Sequence, residues 1–377
     1  MKLASNGGPQ AVSRPIGAFT SIGQEEAQAA SDVVLSGSLS GFFGSPRPGY
    51  FGGNEVQKLE AAWCERFSVE HAITVNSATS GLFVAMGAIG LSPGDEVIVP
   101  PYTMSATAAV PLYFGGIPRF VDIEEETFCL DVKLVEKAIN QKTKAIVVVN
   151  LFGHPARLSE LRALADRHGI FLIEDNAQAV LGEENERRCG TVGHIGIYSL
   201  NIHKHIQCGE GGVCVTACKD LATRMAGIRN HGENVIDWLD ISDLSNMIGL
   251  NLRMPEVSAA IASVQLKKLD PLVERVEKIG QTLTKGISGL SGFAPPMVRD
   301  GCRHNYFMWS CRYDEAELGL SRTAFIEHMR AEGVPLAGGY VPPLYRLPAF
   351  QKRMGIGRDG FPFDRSEIDY AHTFCPV

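Results

Sequence analysis

Short runs of apolar residues alternate with helix-like stretches along the first 220 residues, and this alternation constrains the fold more than any other feature. The runs are continuously hydrophobic, as in strands of a sheet that is covered on both faces. Helices between successive strands favour parallel connections. We therefore predict an α/β fold with a seven-stranded, mainly parallel sheet sandwiched by helices. The predicted strands are residues 72–75, 96–99, 119–122, 145–149, 171–174, 195–199 and 212–215, and the predicted helices include 77–90, 130–139 and 158–168.

The pattern changes after about residue 250. Residues 255–269 predict an amphipathic helix that ends at Asp270-Pro271, and residues 274–290 predict a second long helix. An aromatic strand at 306–313 and a helix at 323–332 follow, which together indicate a smaller α+β domain. The 377 residues are therefore expected to form a large domain over 1–250, with an N-terminal arm, and a second part over 251–377 that contains the bridging helices and the small domain. The glycine- and aromatic-rich segment 37–53 predicts a loop near the functional site.

Composition excludes some classes of function. The net charge of −7 gives no basic footprint for nucleic acid. The sequence has no run of 18 apolar residues and no apolar core near its N-terminus, so we expect neither a membrane span nor a signal peptide. Nine cysteines at irregular spacing are typical of reduced thiols, which favours a cytoplasmic protein and no metal site.

A lysine and an acid carry the strongest indication of chemistry. Lys204 lies between Ser199 and the glycine-rich segment 209–212, and Asp175 ends the apolar run that begins at Ile170. Ligand sites in α/β proteins lie at the carboxyl ends of strands. A lysine amine forms a Schiff base with the aldehyde of pyridoxal phosphate, and a carboxylate keeps the ring nitrogen of that cofactor protonated. This pair therefore predicts a pyridoxal phosphate enzyme, although either residue alone is more often a solvated lysine or a helix-capping acid.

A phosphate site is predicted where the first strand meets its helix. Residues 76–81, with the sequence NSATSG, place backbone N–H groups and a helix dipole at one point. Ser77 or Thr79 is equally suited to cap the helix. Ser199 offers another hydroxyl for the phosphate, and Gln178 suits the ring oxygen of the cofactor. His203 and His205 flank the lysine and point in different directions, so both are expected outside direct contact with the substrate.

Taken together, these motifs resemble the sugar aminotransferases of the DegT/DnrJ/EryC1/StrS family, within the fold-type I aminotransferases. The resemblance extends from about Gly37 to the end of the chain. The matching segments are residues 174–178, 199–204 with 209–212, 229–231, 251–256 leading to 265–270, and 338–345.

The resemblance implies a role for each matching residue. Lys204 would be the Schiff base lysine and proton carrier, with pyridoxamine phosphate formed during turnover, and Asp175 would pair with the pyridinium nitrogen. It also implies a homodimer with shared active sites. The remaining implied contacts are Gln178 with the ring hydroxyl, Ala78, Thr79 and Ser199 with the phosphate, Met104 with a ring face, and Asn251 with the cofactor of the neighbouring subunit.

The implied reaction moves an amino group from glutamate or glutamine to a keto sugar, which in this family is usually carried on a nucleotide. A keto-cyclitol is an alternative acceptor. A sugar 3-dehydratase of the same family is another alternative, but those enzymes have a histidine where this chain has Lys204. A regulator with a degenerate site is the non-enzymatic alternative, and the Asp175–Gln178–Lys204 set argues against it.

Two departures from the family pattern stand out. Met104 occupies a position where the family usually has an aromatic residue that stacks on the ring; methionine can cover a ring through its sulfur. The sequence also stops at Val377, where similar proteins continue for a few dozen residues. We therefore expect the sequence to be truncated at its end or to lack a terminal helix.

Overall fold

The computed structural model of the protein describes residues 2–17 and 19–377, and a seven-stranded sheet lies at its centre. The strand order is β1-β9-β8-β5-β4-β2-β3, and β9 alone runs antiparallel to its neighbours. All seven predicted strands are confirmed, with the third shifted by two residues. Their bounds are β1 (His71–Val75), β2 (Glu96–Val99), β3 (Ile117–Phe120), β4 (Thr143–Val149), β5 (Phe171–Asp175), β8 (Ile195–Ser199) and β9 (Gly212–Thr216).

Among the described residues, five two-residue strands lie outside this sheet. The strands β6 (Glu183–Glu184), β7 (Arg187–Arg188) and β11 (Cys302–Arg303) form one small sheet, and β10 (Phe293–Ala294) pairs with β12 (Arg312–Tyr313). The helices are α1 (Gln24–Ser36), α2 (Asn54–Phe67), α3 (Ala78–Ala88), α4 (Ala106–Tyr113), α5 (Val132–Ala138), α6 (Leu158–His168), α7 (Lys219–Arg229), α8 (Ile236–Leu239), α9 (Glu256–Lys267), α10 (Leu269–Ile287), α11 (Glu315–Leu318), α12 (Arg322–Ala331) and α13 (Pro348–Gln351).

Successive residues of the central strands pack into different cores, which is the signature of a sheet covered on both faces. On β9, Cys214 belongs to the core beneath α3, α4 and α7, whereas Val213 and Val215 belong to the core beneath α2 and α9. The strands β4 and β5 divide their residues in the same way between the first core and a third one under α6. The predicted sandwich of helices around the sheet is confirmed.

The two long helices beyond residue 250 are present, but their junction differs from the prediction. Helix α9 ends at Lys267, and α10 already begins at Leu269, so Pro271 lies in the first turn of α10 and does not lie between two helices. A first turn tolerates proline because its N–H groups have no partner within the helix.

The predicted strand at 306–313 is wrong over most of its length, since only Arg312–Tyr313 pairs as a strand. Tyr306 has a φ of +50°, which interrupts an extended conformation. The Tyr306 N–H donates to His304 Nδ1 at 2.9 Å, and the Phe307 N–H donates to Asn305 Oδ1 at 3.0 Å. Local side chains thus accept hydrogen bonds from the backbone N–H groups that would otherwise pair with a neighbouring strand.

The last part of the chain returns to the central sheet. Leu344, Tyr345, Phe350, Phe363 and Tyr370 are buried in the same core as α3 and α4. The Leu344 N–H donates to the Pro101 carbonyl at 2.7 Å. The division near residue 250 into two folding units stays a prediction, but these contacts bring residues after 340 to the carboxyl edge of the sheet.

Candidate functional site

Asp175 lies at the carboxyl end of β5, in the middle of the sheet, and only 6% of its surface is exposed. Its Oδ1 accepts from the Ala177 N–H at 3.0 Å, and its Oδ2 accepts from the Thr107 hydroxyl at 3.3 Å. Burial raises the pKa of the Asp175 carboxyl, while the Ala177 N–H and the positive charge of Lys204 oppose that rise. The site therefore holds a buried acid that a nearby cation would keep ionised.

Lys204 lies in the loop between β8 and β9, and its amine faces an aromatic ring. The Nζ atom is 4.6 Å from the centroid of the Phe307 ring, a cation–π distance. Burial lowers the pKa of the Lys204 amine, and the Asp175 charge acts in the opposite direction. A lowered pKa increases the fraction of neutral amine, which is the nucleophilic form.

Gln178 is buried at the turn after β5, and both ends of its carboxamide have partners. The Oε1 atom accepts from the Phe152 N–H at 2.7 Å. The Nε2 atom donates to the Tyr340 hydroxyl at 2.9 Å. Sequence reasoning placed Gln178 here but gave it neither of these partners.

Sheet register brings the predicted phosphate contacts to one place. Gly212, at the start of β9, lies opposite both Val75 and Ser199 on its two neighbouring strands. A Cβ atom on Gly212 would stand 2.8 Å from the Ala78 nitrogen, so β9 approaches the N-terminus of α3 as closely as only glycine permits. Ser199 and the start of α3 therefore flank the same glycine.

The N-terminus of α3 is capped on its inner side. The Ser77 Oγ accepts from the Ser80 N–H at 3.1 Å, and the Ser77 carbonyl accepts from the Gly81 N–H. Within residues 2–17 and 19–377, the N–H groups of Ala78 and Thr79 have no acceptor. Two free amides at a helix N-terminus are suited to a phosphate.

The loop 37–53 is fastened by the motif segments that follow α7 and precede α9. The Asn230 Nδ2 donates to the carbonyls of Phe43 and Tyr50 at 3.0 and 2.8 Å. The buried Glu256 carboxylate accepts from the N–H groups of Gly53 and Glu55 at 3.2 and 2.7 Å. These motif residues thus hold the loop in place.

Asn251 is exposed and pairs through its backbone with Asn230. Its neighbour Leu252 accepts from the Asn76 N–H at 3.0 Å, two residues before α3 begins. Asn251 therefore stands beside the predicted phosphate site, with its side chain on the surface.

Met104 lies just before α4, and 54% of its surface is exposed. Its sulfur accepts a hydrogen bond from the Ala106 N–H at 3.1 Å, at the start of α4.

The two histidines beside Lys204 lie in different surroundings. His203 is exposed, whereas the His205 Nε2 lies 3.3 Å from the Asn305 carbonyl. Burial lowers the pKa of His205 to about 4. His205 is therefore neutral near pH 7 and contacts the segment that carries Phe307.

Three residues around the site were not singled out from the sequence: Thr107, Phe307 and Tyr340. Tyr340 lies in the family-like segment 338–345, and Phe307 lies in the segment predicted as an aromatic strand, so the sequence marked both regions without a role. Thr107 carries no pattern of its own.

In the part of the chain that the structure describes, no helix has the length and apolarity needed to cross a membrane, and no three ligating side chains are grouped for a metal ion.

Comparisons with known proteins agree with this geometry. The model of the DegT/DnrJ/EryC1/StrS aminotransferase family matches residues 48–365. The L-glutamine:2-deoxy-scyllo-inosose aminotransferase of Streptomyces kanamyceticus is 34% identical over 339 residues, which are 85% of this chain and 78% of that protein.

Two solved structures extend the comparison. DesV of S. venezuelae, in complex with a ketimine intermediate, is 30% identical with a TM-score of 0.76, over 90% of this chain and 85% of that one. DesI in the presence of its TDP-sugar product is 27% identical with a TM-score of 0.81, over 97% of this chain and 89% of that one. The expected fold-type I aminotransferase architecture is confirmed.

Proposed function

The chain belongs to the DegT/DnrJ/EryC1/StrS family of pyridoxal-phosphate-dependent aminotransferases, and from that premise we propose that it transfers an amino group from glutamate or glutamine to a keto sugar in amino-sugar biosynthesis. The observation that carries the proposal is the pairing of the buried Asp175 with the half-buried Lys204, because the charge of each opposes the effect of burial on the pKa of the other.

The residues around this pair fit the cofactor in charge and in shape. Bound pyridoxal phosphate supplies an aldehyde that condenses with amines and a ring that accepts electrons. Asp175 offers a buried negative charge for the ring nitrogen, and Lys204 offers an amine of lowered pKa for the aldehyde. Gly212 lets β9 lie directly against the N-terminus of α3, next to the free amides, because a side chain there would collide with the Ala78 nitrogen.

We assign the remaining contacts from the same geometry. Ala78 and Thr79 would bind the phosphate through their N–H groups, and Ser199 would add a hydroxyl from the facing strand. Gln178 would donate to the ring oxygen. Lys204 would carry the substrate proton as a general base and acid.

Met104 would cover one face of the cofactor ring. It begins the α4 segment whose Thr107 contacts Asp175, and its exposed thioether is flexible enough to turn toward a bound ring.

The acceptor is proposed from the relatives. DesI was solved with a TDP-sugar product, which supports a nucleotide-linked keto sugar. The inosose aminotransferase acts on a keto-cyclitol with glutamine, and its 34% identity favours that compound class as the second candidate. The candidate acceptor region is the fastened loop 37–53 next to Asn251.

We further propose a homodimer in which Asn251 reaches the cofactor of the partner subunit. Exposed apolar side chains lie near Asn251 in the sequence and on the loop 37–53 beside it. The most exposed of them is Ile248, at 83%. Burying such a surface against a second copy would be favourable. The others are Phe43, Phe51, Trp238, Leu244 and Leu250. Nine free cysteines, four of them buried, support a cytoplasmic location.

The test has two parts. The purified protein, loaded with pyridoxal phosphate and reduced with borohydride, should carry the label on Lys204 in a peptide map, with Lys219→Ala as a control that leaves the label unchanged. Incubation with glutamate and a keto-sugar nucleotide, or with glutamine and a keto-cyclitol, should yield the aminated product and the matching keto acid. A label on another lysine, or release of ammonia with loss of a sugar hydroxyl, would overturn the proposal.

A further inference from the structure

The Gln178 carboxamide has its orientation set by two groups from distant parts of the chain. A backbone N–H can only donate, so the Phe152 N–H at 2.7 Å requires the amide oxygen on its side. The NH₂ group must then lie on the other side, where its nitrogen is 2.9 Å from the Tyr340 hydroxyl oxygen. Each partner fixes one end of the amide.

The oxygen side of this arrangement is rigid. Phe152 has a φ of +58° and Gly153 a φ of +99°. The segment after β11 holds this strained turn through two hydrogen bonds of 3.2 Å, from the Asn305 N–H to the Gly153 carbonyl and from the Met308 N–H to the Phe152 carbonyl. A Cβ on Gly153 would lie 1.7 Å from the Asn305 Oδ1, so the turn admits glycine alone.

The nitrogen side depends on one side chain. Tyr340 packs in an aromatic cluster, with its ring centroid 5.4 Å from that of Phe152 and 6.0 Å from that of Tyr102. Its backbone N–H donates to the Tyr102 hydroxyl at 2.8 Å. The ring is therefore held from two directions, and its hydroxyl is presented to Gln178 by packing.

One hydrogen of the Gln178 NH₂ group is committed to Tyr340, and within residues 2–17 and 19–377 the second has no acceptor. We propose that Tyr340 is a positioning residue, which holds the Gln178 amide in one plane and so directs its second N–H toward the ring oxygen of bound pyridoxal phosphate. This inference rests on the proposed function and adds to it a residue from the returning C-terminal segment.

The hydroxyl can be removed without removing the ring. In Tyr340→Phe the aromatic cluster and the bond to Tyr102 remain, while the Gln178 amide gains torsional freedom. We expect pyridoxal phosphate to bind about two- to tenfold more weakly, the effect of one neutral hydrogen bond. The pH midpoint of the visible absorption of the Lys204–cofactor Schiff base should rise, because the ring oxygen loses a donor that competes with the imine proton.

A double-mutant cycle separates positioning from direct contact. If Tyr340 acts through Gln178, Tyr340→Phe should change neither the dissociation constant nor the pH midpoint in a Gln178→Ala background. Tyr313→Phe is the matched control, because its hydroxyl donates to the Leu320 carbonyl at 3.0 Å, away from the site, and it should match the wild type in both measurements.

The cofactor is removed and restored with pyridoxal phosphate, and binding is followed by absorbance and by thermal unfolding. Wild-type affinity and midpoint in Tyr340→Phe would overturn the inference, and so would an equal effect of Tyr340→Phe with and without Gln178. Borohydride mapping of the same samples tests the proposed function separately. A label on Lys204 together with wild-type affinity and midpoint in Tyr340→Phe refutes only the positioning role, whereas a label elsewhere refutes the function and this inference with it.

Discussion

Replacement of Asp175 by asparagine removes a charge and very little volume. The amide oxygen can still accept from the Ala177 N–H, as the Asp175 Oδ1 does at 3.0 Å. The fold and the bound cofactor should therefore persist. The lost component is the negative charge that would keep the ring nitrogen of the cofactor protonated, in a position where only 6% of the side chain meets water.

The magnitude follows from that burial. Water cannot replace a charge at a site this enclosed, so the loss should resemble the removal of one preorganised electrostatic contact, about 3–4 kcal/mol. Such a loss lowers turnover about 10²- to 10³-fold. The expected result for Asp175→Asn is thus a yellow, folded protein with severely reduced turnover.

The assay is the amino-donor half-reaction, followed in single turnover by the visible absorption of the cofactor, with cofactor content measured on the same sample. Glu174→Gln is the matched control on the same strand. Glu174 is fully buried, but its carboxylate accepts from the N–H groups of Gly190, Val192 and Gly193, away from the site. Glu174→Gln should lower the free energy of unfolding by about 1–3 kcal/mol and leave the turnover of each cofactor-loaded site nearly unchanged.

Turnover of Asp175→Asn within a fewfold of the wild type would refute the reasoning, because the ring would then need no buried anion. Equal losses in both variants would also refute it, since the effect would follow from disturbing β5 and not from the charge.

Further expectations concern the phosphate site, the amine and the buried histidines. Gly212→Ala should displace the N-terminus of α3 and weaken pyridoxal phosphate binding at least tenfold in an absorbance titration, while Gly286→Ala, which meets open space, should not. Phe307→Ala should admit water beside Lys204 and raise the pKa of the Lys204 amine. That pKa is measured by pH-dependent acetylation of the cofactor-free protein followed by peptide mapping, and an unchanged dependence of acetylation on pH would contradict the expectation. Burial lowers the pKa of His154 to about 4 and of His304 to about 3. The unfolded chain takes up these protons first, so the stability that the neutral forms contribute is complete above pH 6.5 and is lost as the pH falls toward 3. Urea unfolding should show that the free energy of unfolding falls by several kcal/mol between pH 7 and pH 4, at about 1.4 kcal/mol per pKa unit. His304→Gln should make that fall smaller.

The local patterns of the sequence determined the sheet and the position of several site residues along it. A continuous apolar run followed by a polar residue marks the end of a buried strand, which placed Asp175 and Ser199 at the carboxyl edge. Serine or threonine at the start of a helical stretch marks an N-cap, and of the two candidates Ser77 and Thr79 the structure selects Ser77. These predictions succeeded because strand ends and caps depend on residues only a few positions apart.

The sequence pattern led to wrong predictions where hydrogen bonds and packing differed from those that the local composition suggests. The aromatic segment 306–313 has the composition of a strand, but side chains of His304 and Asn305 take its N–H groups and Tyr306 adopts a positive φ. Pro271 was expected to separate two helices, yet it occupies a first turn that needs no N–H. Both errors arise because composition does not specify hydrogen-bond partners.

The sequence by itself thus determined the α/β architecture, and it predicted Lys204 and Asp175 as the lysine and acid of the candidate site, because periodicity and strand ends are local properties. Only the tertiary structure decided what surrounds them. Phe307 reaches Lys204 from 103 positions away along the sequence, and Tyr340 reaches Gln178 from 162 positions away. Such pairs meet because the chain returns after residue 300 to the carboxyl edge of the sheet, and the path of that return depends on packing between whole elements, which no local pattern encodes.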